Sequence, residues 1–254
     1  MIDDLFDISS KIILITGAGK GLGRGYAESL AERGAVVVGI GRHEEDLKSL
    51  ARQIGDRGQK ADYAVCDVSD WKSIQSAMKL IYEKYGGIDV LINNAGTEIA
   101  KPVEMVTEND FDKIVSVNLK GTYMMAQEAI KYMRLHKSGR IINIGSLGSF
   151  IGLAESTVYC ATKGAVVQLT KALALETAKD GININAIAPG YFLTEMTKGF
   201  FDDPVHAKWI CSRTPLGRIG TYKDLIGTLV FLSSESSGYI TGQTFVVDGG
   251  WLAG

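Results

Sequence analysis

Residues 11–23 read K-I-I-L-I-T-G-A-G-K-G-L-G. The apolar run Ile12–Ile15, closed by glycines, has the composition of a short strand buried on both faces. Arg24–Arg33, stopped by Gly34, reads as the helix that follows. Strand, glycine turn and helix in that order form a phosphate cradle. Glycines let the backbone turn tightly and approach a bound group, and the helix N-terminus stabilises its negative charge. Two familiar spacings fail here. G-x-G-x-x-G would need a glycine where Leu22 stands, and a Walker loop would need Ser or Thr after Lys20, where Gly21 stands. The spacing that fits is T-G-x-x-x-G-x-G, with Gly17, Gly21 and Gly23 as its glycines.

Outward from this loop the chain alternates between two periods. Val36–Ile40, Asp62–Cys66, Val90–Ile92, Arg140–Ile144, Ile182–Ile187 and Thr244–Val247 are short and rich in β-branched residues. Between them lie helical patterns at Glu44–Ile54, Trp71–Tyr85, Glu108–Leu135, Val158–Ala178 and Tyr222–Ser233. Continuous apolar strands separated by helices predict an α/β chain, a doubly wound sheet of seven parallel strands with helices on both faces. No linker, repeat or low-complexity tract interrupts it, so residues 1–254 are expected to form one domain. Residues 191–220 differ in character, with Phe192, Phe200, Phe201, Trp209, Pro204 and Pro215. A long aromatic loop broken by prolines is either a surface excursion or a lid over substrate, and a lid is the expectation.

Composition narrows the class. The 254 residues are 46% hydrophobic and 22% charged, which excludes a disordered chain or a coiled coil. Lys and Arg number 27 against 29 Asp and Glu, a net charge of −2, so no basic excess points to nucleic acid. The acidic start M-I-D-D-L-F-D-I-S-S-K is not a signal sequence, and no apolar run is long enough for a membrane span. A cytoplasmic protein without membrane or nucleic-acid partners is expected. Cys66, Cys160 and Cys211 are odd in number and widely spaced, and His43, His136 and His206 lack paired spacing, so neither a disulfide framework nor a metal site is expected. Met124, Met125 and Met133 read as packing on a helix face.

Tyr159 and Lys163 lie four residues apart and share one face of a helix. A phenol with a pKa of about 10 is a poor acid or base near neutrality, and a neighbouring ammonium lowers it. The pair is therefore expected to be a proton donor and acceptor tuned toward working pH. Ser146 follows a strand but lies outside a G-x-S-x-G elbow, since Ile stands at 144, so a hydrolase triad is not indicated.

The glycine loop, Asn93-Asn94-Ala95-Gly96, Asn118, Ser146, Tyr159-x-x-x-Lys163 and Pro189-Gly190, in that order, resemble the short-chain dehydrogenase/reductase family over residues 11–250. The resemblance implies a Rossmann-type fold, a nicotinamide cofactor and a homotetramer paired through the long helices. It also implies roles: Tyr159 transfers the alcohol proton, Ser146 positions the carbonyl oxygen, Lys163 holds the nicotinamide ribose and Asn118 supports a water relay behind it. Gly17, Lys20, Gly21, Leu22, Gly23, Asp67, Val68, Asn94, Ala95, Gly96, Pro189, Gly190, Phe192 and Thr194 would contact cofactor. After the second strand an NAD site would carry Asp or Glu, whereas Gly41-Arg42 stand here with Lys20 nearby; this predicts NADP, with NAD possible. Within the family, A-P-G-Y-F-L-T-E-M (188–196), Trp209, Arg213-Thr-Pro215, Arg218 and Val247-Asp-Gly-Gly-Trp251 are most similar to gluconate 5-dehydrogenases and the deoxy-keto-gluconate dehydrogenases. Glu98, close after Gly96, departs from the basic residues such members often carry there. Two alternatives stand beside a sugar-acid enzyme: a 3-oxoacyl-thioester reductase, which shares the catalytic motifs, and an inactive nucleotide sensor, which should have lost Tyr159 or Lys163.

Overall fold

Ile12–Thr16 (β1) alternates its side chains between two apolar layers, and this decides the packing on both sides of it. Ile13 and Ile15 face a layer built by Tyr26, Leu30, Leu47, Leu50, Leu225 and Leu229, while Leu14 faces Ile74, Met78, Met124, Met125 and Met133. Each fully buried Ile or Leu contributes about 1.5–3 kcal/mol of transfer free energy. The structure, a computed structural model, describes residues 4–194, 197 and 201–254.

After β1 come α1 (Gly21–Ala31), β2 (Val36–Gly41), α2 (Glu44–Gly55), β3 (Ala61–Val65), α3 (Trp71–Tyr85) and β4 (Val90–Asn93). The second half runs through α4 (Glu108–Val115), α5 (Thr122–His136), β5 (Gly139–Ile144), α6 (Thr157–Thr177), β6 (Ile182–Pro189), α7 (Pro204–Arg213), α8 (Tyr222–Ser233) and β7 (Thr244–Val247). The seven strands form one parallel sheet in the order β3-β2-β1-β4-β5-β6-β7. Central β4 and β5 are buried at every residue, and edge strands β3 and β7 are only partly covered. The strand order reverses between β1 and β4, which opens a crevice beyond their C-terminal ends.

The expected continuous helix over Glu108–Leu135 is interrupted. A π-helical turn, Ser116–Gly121, separates α4 from α5. There the Thr122 hydroxyl donates to the Asn118 carbonyl at 2.8 Å, and both ends of the Asn118 side chain are held by segments distant in the chain, at Thr97 and Thr162. The described residues 201–220 of the aromatic segment also hold more order than a loop suggests. Asp203 caps α7 by accepting from Val205 N at 2.8 Å, with Pro204 in the first turn, where its missing N–H costs nothing. The base of this segment is closed by a bridge between Phe192 and Gly220. Phe200, Glu195 and Met196 lie outside the described residues.

Tyr26 is fully buried in α1, and its hydroxyl has no hydrogen-bond partner among the described residues. Burial pushes its phenol far above the ordinary value. Because an unpaired buried hydroxyl costs about 1–3 kcal/mol, Tyr26→Phe should raise Tm by a few degrees in calorimetry. A lower Tm would show that the hydroxyl is satisfied.

Candidate active site

The hydroxyl of Thr16, last residue of β1, joins two loops. It accepts the backbone N–H groups of Asn94 and Ala95, each at 2.9 Å, and donates to Ile92 O at 3.4 Å. One donor and two lone pairs are thereby used in full. Asn94 completes the joint by donating its side-chain amide to Thr16 O at 2.9 Å and Gly17 O at 3.4 Å. Gly17 has φ +68°, a left-handed conformation that favours glycine. Gly23 lies under the turn, where a Cβ would stand 2.4 Å from Gly17 O and 2.5 Å from Asn94 Nδ2, so α1 can close on the loop only without a side chain there. Lys20 is the N-cap of α1 and offers no side-chain hydrogen bond to the first turn, which also holds no acidic residue. The helix end therefore directs its N–H groups and positive dipole at the crevice.

Two adjoining cavities occupy that crevice. The first, about 370 Å³, is floored by Gly17, Lys20, Gly21 and Leu22, flanked by Asn94, Ala95 and Gly96, and covered by Pro189, Gly190, Phe192 and Thr194; Ser146, Tyr159 and Lys163 form its far wall. The second, about 270 Å³, shares Gly17, Lys20, Ala95 and Gly96 with it and ends on Arg42, Asp67 and Val68. Gly23 and Asn118 line neither cavity; the first supports the floor, and the second is wholly buried behind the wall. Sequence reasoning passed over Thr16 and Thr97, whose work is done by hydrogen bonds to distant loops. It also passed over His43, Asp46 and Cys66 in the second cavity and Gly145 and Thr197 in the first. The only advance signal was the Thr preceding Gly17, a hydroxyl at the end of a buried strand.

The catalytic-type residues are held from behind. Ser146 Oγ accepts from Gly148 N at 3.1 Å, which leaves its proton free, and its hydroxyl draws the Tyr159 phenol down. Lys163 is 5% exposed and donates to Ile144 O at 2.7 Å, with its Nζ 5.7 Å from the Tyr159 ring centre. Asn118 accepts from Thr97 N at 2.8 Å and donates to Thr97 O at 2.9 Å and Thr162 Oγ1 at 3.2 Å, fixing the loop after Gly96 against α6.

One expectation changes in this setting. Burial pushes the Tyr159 phenol up to about 12; the Ser146 hydrogen bond opposes that shift, and the Glu98 carboxylate adds to it. Burial takes Lys163 down to about 8, against a smaller upward pull from Glu98. A nearby ammonium was expected to lower the phenol. Desolvation of both groups outweighs that attraction, and Tyr159 is held as the neutral acid.

At the other end of the crevice, Arg42 Nη1 lies 3.9 Å from Asp67 Oδ2 and Lys20 Nζ lies 3.6 Å from Asp46 Oδ2. These pairs are half exposed and weak, so both cations can turn to an anion in the cavity. Asp67 Oδ1 accepts from Ser69 N at 2.9 Å and Ser69 Oγ at 2.7 Å, which, with Arg42, holds its carboxyl below the usual range despite partial burial. No cluster of three His, Cys, Asp or Glu is arranged to hold a metal ion among the described residues. Nor is any helix among them long and apolar enough to cross a membrane.

Residues 17–252 match the family described as enoyl-(acyl carrier protein) reductase. The chain is 40% identical over 247 residues to gluconate 5-dehydrogenase of Gluconobacter oxydans, covering 97% of this chain and 96% of that one. It is 37% identical over 244 residues to a 3-oxoacyl-[acyl-carrier-protein] reductase of Vibrio harveyi, covering 96% and 98%. The crystal structure of a gluconate 5-dehydrogenase from Burkholderia cenocepacia in complex with NADP and tartrate superposes with a TM-score of 0.96 at 39% identity, covering 99% of this chain and 98% of that one. The chain belongs to the short-chain dehydrogenase/reductase family and is an oxidoreductase of that type.

Proposed function

We propose that the chain interconverts a secondary alcohol and a ketone with NADP(H), on a sugar acid such as gluconate and its 5-keto form. The observation that carries the reading is the meeting of Ser146, Tyr159 and Lys163 on one wall of a cavity floored by the glycine loop. The bared α1 N-terminus fits a pyrophosphate, and Arg42 with Lys20, and no carboxylate at Gly41, fits a 2′-phosphate better than a free 2′-hydroxyl. Asp67 and Val68 would receive the adenine, Asn94, Ala95 and Gly96 the adenosine-ribose side, and Pro189, Gly190, Phe192 and Thr194 the nicotinamide end. Lys163 would hold the nicotinamide ribose. The NADP and tartrate bound by the Burkholderia relative support this assignment. NAD is the second cofactor the site could take.

The bound nicotinamide would supply or accept the hydride at the carbinol carbon. Ser146 would donate a hydrogen bond to the carbonyl oxygen and hold it beside Tyr159. In reduction the Tyr159 hydroxyl would give its proton to that oxygen as the carbonyl π bond breaks, and in oxidation the Tyr159 phenolate oxygen would take the proton from the alcohol. Lys163 and Asn118 keep the wall in place. Residues 191–220, anchored at the Phe192–Gly220 bridge, would act as a lid within a single 1–254 domain. Exposed Val103, Met105, Phe111 and Tyr123 on and before the long helices support pairing of subunits into a homotetramer.

A 3-oxoacyl-thioester reductase is the second reading, favoured by the likeness to the Vibrio enzyme. Against it, the scattered surface cations are engaged at home: Lys131 with Glu128 at 2.6 Å and Arg134 with Asp180 at 2.7 Å. Following reduced-nicotinamide absorbance with D-gluconate, 5-keto-D-gluconate and an acetoacetyl thioester separates the readings. Sugar-acid turnover is expected, and turnover of the thioester alone would overturn the substrate. Tyr159→Phe should cut that turnover about 100- to 10,000-fold while nucleotide binding survives; a fully active variant would refute the mechanism. Arg42→Ala should weaken NADP about tenfold more than NAD in titration calorimetry, and equal losses would remove the 2′-phosphate assignment.

A further inference from the structure

Two opposite charges, Glu98 and Arg213, stand near the candidate catalytic wall and outside the lining of the two cavities. The Glu98 carboxylate accepts the hydroxyl of Ser156, the residue that precedes α6 by one position and Tyr159 by three. Its backbone follows directly on Thr97, which Asn118 pins, so it is fixed close to the proton-transfer pair. Its charge acts on both Tyr159 and Lys163. Arg213 is the last residue of α7. Its guanidinium is 4.9 Å from the ring centre of Trp251 and 6.0 Å from that of Trp209. Trp251 is 4% exposed, meets Tyr191 at a tilt with ring centres 4.7 Å apart, and packs in one cluster with Leu147, the neighbour of Ser146. A cation laid on two indoles is oriented without being neutralised.

Other basic groups around this entrance are committed: Lys101 to Asp110 at 2.6 Å, Arg218 to Asp224 at 2.7 Å and Lys163 to Ile144 O at 2.7 Å. Arg213 forms no ion pair among the described residues and remains exposed. Burial raises the Tyr191 phenol, and the charges of both Arg213, which pulls it down, and Glu98, which pushes it up, reach it.

We propose that Glu98 and Arg213 determine which ketone the site reduces: one whose carboxylate lies several bonds from the carbonyl, seated on Arg213, with a neutral hydroxyl-bearing carbon against Glu98. The proposal rests on the reading of the chain as an alcohol–ketone oxidoreductase and deepens it. A carboxylate next to the carbonyl would face Glu98 at short range and be repelled, whereas a hydroxyl there could donate a hydrogen bond to it. Glu98 therefore does not argue against an acidic substrate. It argues against one bound the wrong way round.

The test uses unbranched oxo acids without sugar hydroxyls: 2-oxohexanoate, 4-oxopentanoate, 5-oxohexanoate and the methyl ester of the last. In the wild type, kcat/KM should rise with the distance between carbonyl and carboxylate. Arg213→Met keeps an apolar cover on Trp251 and removes the charge. It should raise KM for 5-oxohexanoate about 10- to 100-fold, far more than for the ester, with Arg213→Lys recovering part of the loss and the melting temperature unmoved. Glu98→Gln should improve 2-oxohexanoate relative to 5-oxohexanoate about tenfold. Equal effects of Arg213→Met on acid and ester, or no preference among the oxo acids, would overturn the proposal. If the oxo-acid order holds but 5-keto-D-gluconate is not reduced, the sugar-acid reading fails and the two poles stand. If 5-keto-D-gluconate is reduced and Arg213→Met leaves its KM unchanged, the poles fail and the sugar-acid reading stands.

Discussion

The hydroxyl of Thr16 is the joint on which the crevice depends. It saturates its hydrogen-bonding capacity on the backbone of β4 and the loop beyond, tying the glycine turn after β1 to Asn94 and Ala95. Without that tie the two loops at the point of strand-order reversal would be separate surface turns. With it they form one rigid floor, and Asn94 fastens the same two loops a second time through its side chain. The left-handed Gly17 and the bare Cα of Gly23 allow the turn to lie flat against α1. Order at this level is set by the β1 and β4 register, Ile13 to Val90 through Ile15 to Ile92, which delivers both loops to the same edge.

A second chain of contacts fixes the opposite wall. Within the π turn Asn118 clamps Thr97 and Thr162, and Thr162 belongs to the helix that carries Tyr159 and Lys163. Lys163 reaches across to Ile144 O at the end of β5, beside the loop that carries Ser146. Burying an ammonium is costly unless its hydrogens are directed. That cost is what moves Lys163 down to about 8 and leaves it poised within working pH.

Seven strands, their parallel order and the two apolar layers were legible in the sequence because β-branched runs and helical periods alternate without interruption. So were Ser146, Tyr159 and Lys163, which the fold brings to one cavity. Three things were not legible. The π turn arises from side-chain hydrogen bonds to segments about twenty and more than forty residues away, which no local period reports. Helix α7 was hidden by its aromatic content, although Asp203-Pro204 is a sound start signal. The sign of the Tyr159 shift depends on how much protein surrounds the ring, and spacing alone supplied only the neighbouring ammonium.

We propose that Tyr159 is a buried acid that must lose its proton for oxidation and keep it for reduction. Burial pushes its phenol up to about 12, so the ionised fraction at neutral pH is small and grows with pH. The most direct measurement is kcat/KM against pH in both directions on the same enzyme, from pH 6 to about 9. Alcohol oxidation should climb steadily as the phenolate fraction rises, while ketone reduction should show no rise and should fall as the Lys163 ammonium, held near 8, is lost. An oxidation rate that is flat or falling with pH, or a reduction rate that climbs in parallel with it, would contradict the assignment of Tyr159 as the group that carries the proton.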